Sequence, residues 1–158
     1  MNTRAVDRWL DAYGESHQNT VNEALHLVCV PVIVMCLLSF LSLVPWQLPL
    51  LPALDLANLL AIATVLYYVR LSWRLALVIV PVYVVLFLGV DALKAWEAAG
   101  GPAVWQSSLG LFVVAWIGQF IGHAVEGKKP SFFQDLQYLL IGPVWLVAQG
   151  FRRVGWRY

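Results

Sequence analysis

Residues 24–44 read ALHLVCVPVIVMCLLSFLSLV, twenty-one positions without Asp, Glu, Lys or Arg. Crossing a bilayer takes about 20 mainly apolar residues, and in hydrocarbon every backbone N–H and C=O must be satisfied within the chain, so a single run of this kind has to be a helix. Pro31 does not veto that reading, because neighbouring helices can satisfy the carbonyl it frees. A second span is expected within residues 48–69, after the breaker-rich PWQLPLLP. The polar link RLSWR then turns the chain into LALVIVPVYVVLFLGV, residues 75–90, making a helical hairpin. DALKAWEAAGGP reads as a solvated outer loop, and a fourth span runs from Ala103 to Val125. The fifth apolar stretch, LQYLLIGPVWLVAQGF from Leu136, is short and broken at Gly142 and Pro143, the pattern of a re-entrant or interfacial segment.

The 158 residues have the length of one domain, and 61% of them are hydrophobic against roughly 45–50% in soluble domains. Mean hydropathy is +0.74. The predicted fold class is an all-α integral membrane protein: about four transmembrane helices plus a re-entrant or interfacial C-terminal helical hairpin, with residues 1–158 forming one membrane-embedded domain. No internal repeat is evident. Lys and Arg fall in short clusters between apolar runs and form no basic tract, so nucleic acid is excluded as a partner, while homo-oligomerisation is left open. MNTRAVDRWLDAYGES is charged and amphipathic, unlike a cleavable leader, and is expected to be retained. Cys29 and Cys36 lie seven apart on one apolar helical face and read as small buried hydrophobes.

Basic residues in short loops stay on the cytoplasmic side. An inside N-terminus places Arg4, Arg8, Arg70, Arg74, Lys128 and Lys129 there, with Lys94 outside. If the broken fifth segment does not cross, Arg152, Arg153 and Arg157 join them, whereas five crossings would strand those three outside. The eight tryptophans fall mostly near segment ends, as in an interfacial aromatic belt.

This topology brings all three histidines of the chain to one membrane depth. His17 and His26 flank the entrance of the first span, and His123 arrives there at the end of the fourth. TVNE reads as a capping box with Thr20 as N-cap and Glu23 at the third helical position, so a helix is expected to begin between the first two histidines. Within it Asn22 and His26 are four apart and share a face, with Asn19 near the cap; in QFIGHAVE, Gln119, His123 and Glu126 fall at i, i+4 and i+7. Imidazoles with amide and carboxylate neighbours are the make-up of a metal site. A histidine at a membrane interface more commonly serves as an anchor; the convergence of three favours a shared site, because polar groups at membrane depth are costly. Asp55, Asp91, Lys94 and Glu97 read as structural or solvated, and Arg152 and Arg153 as lipid anchors. GxSxG, HExxH, a phosphate-binding glycine loop and CxxCH are all absent.

YGESHQNTVNEALHLVCVP and QFIGHAVEGKKPSFFQDLQYLLIGP together resemble the small membrane proteins of a 2-hydroxy-fatty-acid dioxygenase family, once filed under an unknown-function domain, whose yeast member acts in phytosphingosine breakdown. The resemblance covers most of the chain, with its specificity at the two ends. It implies an Fe(2+) cofactor held by His17, His26 and His123, with Asn19, Asn22, Gln119 and Glu126 as candidate catalytic-site positions and Pro130 as a motif position. Glu126 is left between a fourth ligand, an acceptor for a histidine and a proton carrier, with a supporting role preferred. The implied activity removes one carbon from a 2-hydroxy fatty acid using molecular oxygen, at the cytoplasmic face of what looks like a bacterial inner membrane. The alternatives are a metal-binding membrane carrier or sensor without oxidative activity, and a scaffold whose histidines are only interfacial.

Overall fold

The computed structural model describes residues 19–48 and 51–127, together with Gly150 and Gly155. In order these form helix α1 (Thr20–Ser42), strands β1 (Gln47–Leu48) and β2 (Leu51–Asp55), and helices α2 (Leu56–Leu71), α3 (Trp73–Ala98) and α4 (Val104–Glu126). Helices α1, α3 and α4 are each long and apolar enough to cross a membrane. The all-α membrane architecture is therefore as expected. His17, Pro130, the broken apolar stretch from Leu136 and the terminal arginines lie outside the described residues.

Two boundaries differ from the sequence reading, and a ribbon precedes the second apolar helix. Strands β1 and β2 pair antiparallel, Gln47 opposite Asp55, and α2 starts at Leu56, inside the expected 48–69 window. Pro49 and Pro52 bias the residues before them away from helical geometry, and Asp55 caps the helix by accepting from the Asn58 N–H at 2.9 Å. At 16 residues α2 is about 24 Å long, short of the roughly 30 Å of hydrocarbon.

The outer loop after Val90 is instead a continuation of α3 to Ala98. Its residues are good helix formers, and the first breaker is Gly100, whose φ of 92° takes the left-handed conformation that ends the helix. The N-cap of α1 is Asn19 and not Thr20. The Asn19 side chain accepts from the Val21 N–H at 2.9 Å, which moves the third helical position from Glu23 to Asn22.

Chain order and packing place the helices. Ser72 alone separates α2 from α3, making them antiparallel. Leu38 near the end of α1 is fully buried with Ala57 at the start of α2 and with Leu86 and Val90 of α3. Helix α4 runs antiparallel to α1, with Cys29, Ile33 and Ala115 buried together and Phe40 stacked edge-on against Phe112. One end of the bundle therefore gathers the start of α1, the α2–α3 turn and the end of α4; the ribbon lies at the other. Trp46, Trp73, Trp96 and Trp105 are exposed near element ends, as an aromatic belt requires, and the Arg74 guanidinium sits 5.5 Å from the Trp73 ring centroid. Trp116 departs from the belt: it packs mid-helix between Phe112 and Phe120. Both cysteines are free and buried, as read from the sequence.

Candidate functional site

The α1/α4 seam is tight because α4 presents glycine to α1. A Cβ placed on Gly118 would lie 2.6 Å from the Cys29 Sγ, and one on Gly122 would collide with the Asn22 Oδ1. Gly118 and Gly122 are four apart, the small-xxx-small spacing that lets two membrane helices approach closely. This pair escaped the reading of motifs above. Its signal is present in GQFIG, which overlaps the stretch quoted for its histidine and begins one residue before it.

Four polar side chains are sealed into this seam. Asn22 is fully buried, and His26, Gln119 and His123 are 3%, 5% and 5% exposed. The His26 and His123 rings meet edge to face, with centroids 5.2 Å apart and planes at 87°. Two of the three histidines are thus brought together across two helices almost one hundred positions apart in sequence. His17, the third, falls outside the described residues.

His26 Nδ1 lies 3.0 Å from the Asn22 carbonyl oxygen one turn earlier. A carbonyl can only accept, so Nδ1 carries the proton, and in the neutral ring the lone pair is on Nε2. A backbone contact that fixes tautomer and ring orientation is a common support for a metal-binding imidazole. Gln119 lies one turn from His123 on the same face of α4. Its Nε2 is buried without a hydrogen-bond partner among the described residues.

Glu126 ties the two helices at their shared end. Its Oε2 accepts from the Asn19 backbone N–H at 2.9 Å and from Asn22 Nδ2 at 3.1 Å. In a capping box the residue at the third helical position reaches back to the N-cap N–H. Here the acceptor comes from the neighbouring helix, and the side chain at that position, Asn22, becomes a second donor to it. A carboxylate at the C-terminus of its own helix is unfavourably placed with respect to the helix dipole, but the antiparallel seam puts it at the N-terminus of α1, where negative charge is favoured. Asn19, Asn22, Glu126 and His26 therefore form one connected set: Glu126 fixes the start of α1, and α1 positions the carbonyl that orients His26.

The donor chemistry suits a divalent transition metal, which imidazole nitrogen binds well. Among the described residues no three His, Cys, Asp or Glu side chains gather closely enough to hold a metal by themselves. The described donors of that chemistry are the two imidazoles, His26 and His123. Asp55, set aside as structural, is indeed occupied in capping α2 at the opposite end of the bundle.

No curated protein and no solved structure matched the chain. The family described as 2-hydroxy-palmitic acid dioxygenase Mpo1-like matches residues 3–154, which takes in both histidine-bearing ends and all four helices. The chain belongs to the 2-hydroxy-palmitic acid dioxygenase Mpo1-like family.

Proposed function

We propose that this protein is an Fe(II)-dependent dioxygenase that shortens 2-hydroxy fatty acids by one carbon at the membrane interface. The observation that carries the reading is the buried His26–His123 pair, with the His26 tautomer set by the Asn22 carbonyl, in a chain whose family is described by that activity. His17, His26 and His123 are the proposed iron ligands. When bound, iron would supply open positions for oxygen and for chelation by the carboxylate and 2-hydroxyl of the substrate.

The chain's own residues do the rest. His26 presents the Nε2 lone pair, and Asn22 and Glu126 keep that ring from turning. Gln119 Nε2 offers a buried N–H donor suited to an anionic headgroup. The apolar surfaces of α1 and α4 leave the acyl chain in lipid while its polar end reaches the seam. Converting a 2-hydroxy acid and O₂ to the acid one carbon shorter, CO₂ and water balances atoms and electrons, so the reaction requires no 2-oxoglutarate or external reductant. The clustering of basic residues supports a cytoplasmic orientation of this end, in keeping with a bacterial inner-membrane enzyme.

The test is metal analysis of the purified full chain combined with mass spectrometry of products from 2-hydroxypalmitate in air and under anaerobic conditions. The reading expects bound iron and an oxygen-dependent C15 acid. Bound metal with identical aerobic and anaerobic products would instead establish the carrier or sensor reading.

A further inference from the structure

Helices α2 and α3 part on their lipid-facing side to leave a groove of about 450 Å³. Its floor is Ala61, Val65, Tyr83 and Phe87, and exposed aliphatic side chains such as Leu66, Val84 and Leu88 form its walls. Tyr83 is half-buried between the two helices, and its ring lines the slot. The groove extends from Asn58 to Leu66 on α2 and from Val80 to Asp91 on α3. At 1.5 Å per residue these are about 12 and 16 Å, close to the roughly 15 Å of a single hydrocarbon leaflet. It is one leaflet deep, and that leaflet is the one at the ribbon end, opposite the histidines.

The polar end of the groove carries the Asp91 carboxylate and Asn58, whose amide donates one N–H to Asp55 at 2.8 Å. The described residues at this end carry three carboxylates, Asp55, Asp91 and Glu97, against one ammonium, Lys94. An acyl-sized slot with net negative charge at its wet end complements an acyl chain whose headgroup carries an ammonium. It disfavours a fatty-acid carboxylate, so this groove is distinct from the proposed substrate site.

We propose that the α2/α3 groove binds one acyl chain of a membrane lipid with a primary ammonium headgroup, drawn from the leaflet opposite the histidines. The experiment uses the full chain reconstituted in vesicles of equal phosphatidylethanolamine and phosphatidylglycerol, extracted in mild detergent and weighed intact by native mass spectrometry. The wild type is expected to retain one lipid, with phosphatidylethanolamine enriched about threefold, the factor an exposed ion pair supplies. Asp91→Asn should bring the retained ratio to that of the bulk, and Asp91→Lys should reverse it. Ala61→Leu should remove the retained lipid by filling the floor; should it fail to fold, Val84→Trp at the wall carries the same expectation.

Retention of lipid at the bulk ratio by the wild type would overturn the proposal. So would a ratio indifferent to Asp91→Lys, displacement of the lipid by 2-hydroxypalmitate, or crosslinking between copies through Leu88→Cys. None of these readouts depends on turnover, so the outcome is independent of whether the iron reading survives.

Discussion

The α1/α4 seam and the α2/α3 hairpin are both antiparallel pairs of apolar helices, and they pack in opposite ways. In the seam, Gly118 and Gly122 bring the backbones close and the space between is filled by Asn22, His26, Gln119 and His123. In the hairpin, aliphatic and aromatic side chains hold the helices apart and leave a groove. Lipid tails are as apolar as Leu, so aliphatic contact in a bilayer gives no net hydrophobic drive; close approach and interhelical hydrogen bonds do the specifying. The seam has both and so can hold ring orientations. The hairpin has fewer constraints, and it borders the lipid.

The largest expected contrast is in activity. His26→Ala and His123→Ala should each lower oxygen-dependent product formation from 2-hydroxypalmitate by about a hundredfold or more, since even loss of an outer support of a metal ligand costs 10–100-fold. Turnover and iron content near wild type in either variant would remove the seam as the site. Next, Gly122→Leu should destabilise the fold by about 3 kcal/mol in a detergent unfolding titration, because its side chain must displace Asn22. Leu66→Ala in the hairpin, at an exposed wall, should stay within about 0.5 kcal/mol. Equal losses at the two positions would break the comparison.

Glu126→Ala should cost about 2 kcal/mol by leaving the Asn19 N–H and Asn22 Nδ2 without their acceptor. Because Glu126 acts on His26 through α1, iron affinity should fall along with stability, and Glu126→Gln should restore part of both by keeping an acceptor oxygen. A variant with normal stability and no iron would instead mark Glu126 as a direct ligand. Asn19→Ala removes only the side-chain cap and leaves the backbone N–H bound to Glu126. Its expected cost is about 1 kcal/mol by the same titration, with iron content retained.

Much of this architecture was legible in the chain because hydrophobic length is a local property. The first and fourth spans emerge within a few residues of their helices, and the free buried cysteines and four of the five described tryptophans follow from the same reading. The errors fall where polarity and helicity part company. Asp91–Ala98 is polar enough to resemble a loop, yet contains no breaker, so the helix continues until Gly100. The start of α1 lies one residue before the expected N-cap, because the acceptor that completes its cap, Glu126, belongs to another helix.

The sequence by itself determined that the chain makes apolar helices of membrane length and that its few imidazoles and amides collect at their ends. Those properties depend on hydropathy and spacing along one segment. Only the tertiary structure decided that His26 and His123 touch, that Asn22 sets one ring while Glu126 holds Asn22, and that Gly118 and Gly122 make room for them. Such facts are relations between two helices: the glycine spacing signals a close approach, but which helix it meets and which side chains fill the seam are set by the packing of the backbones.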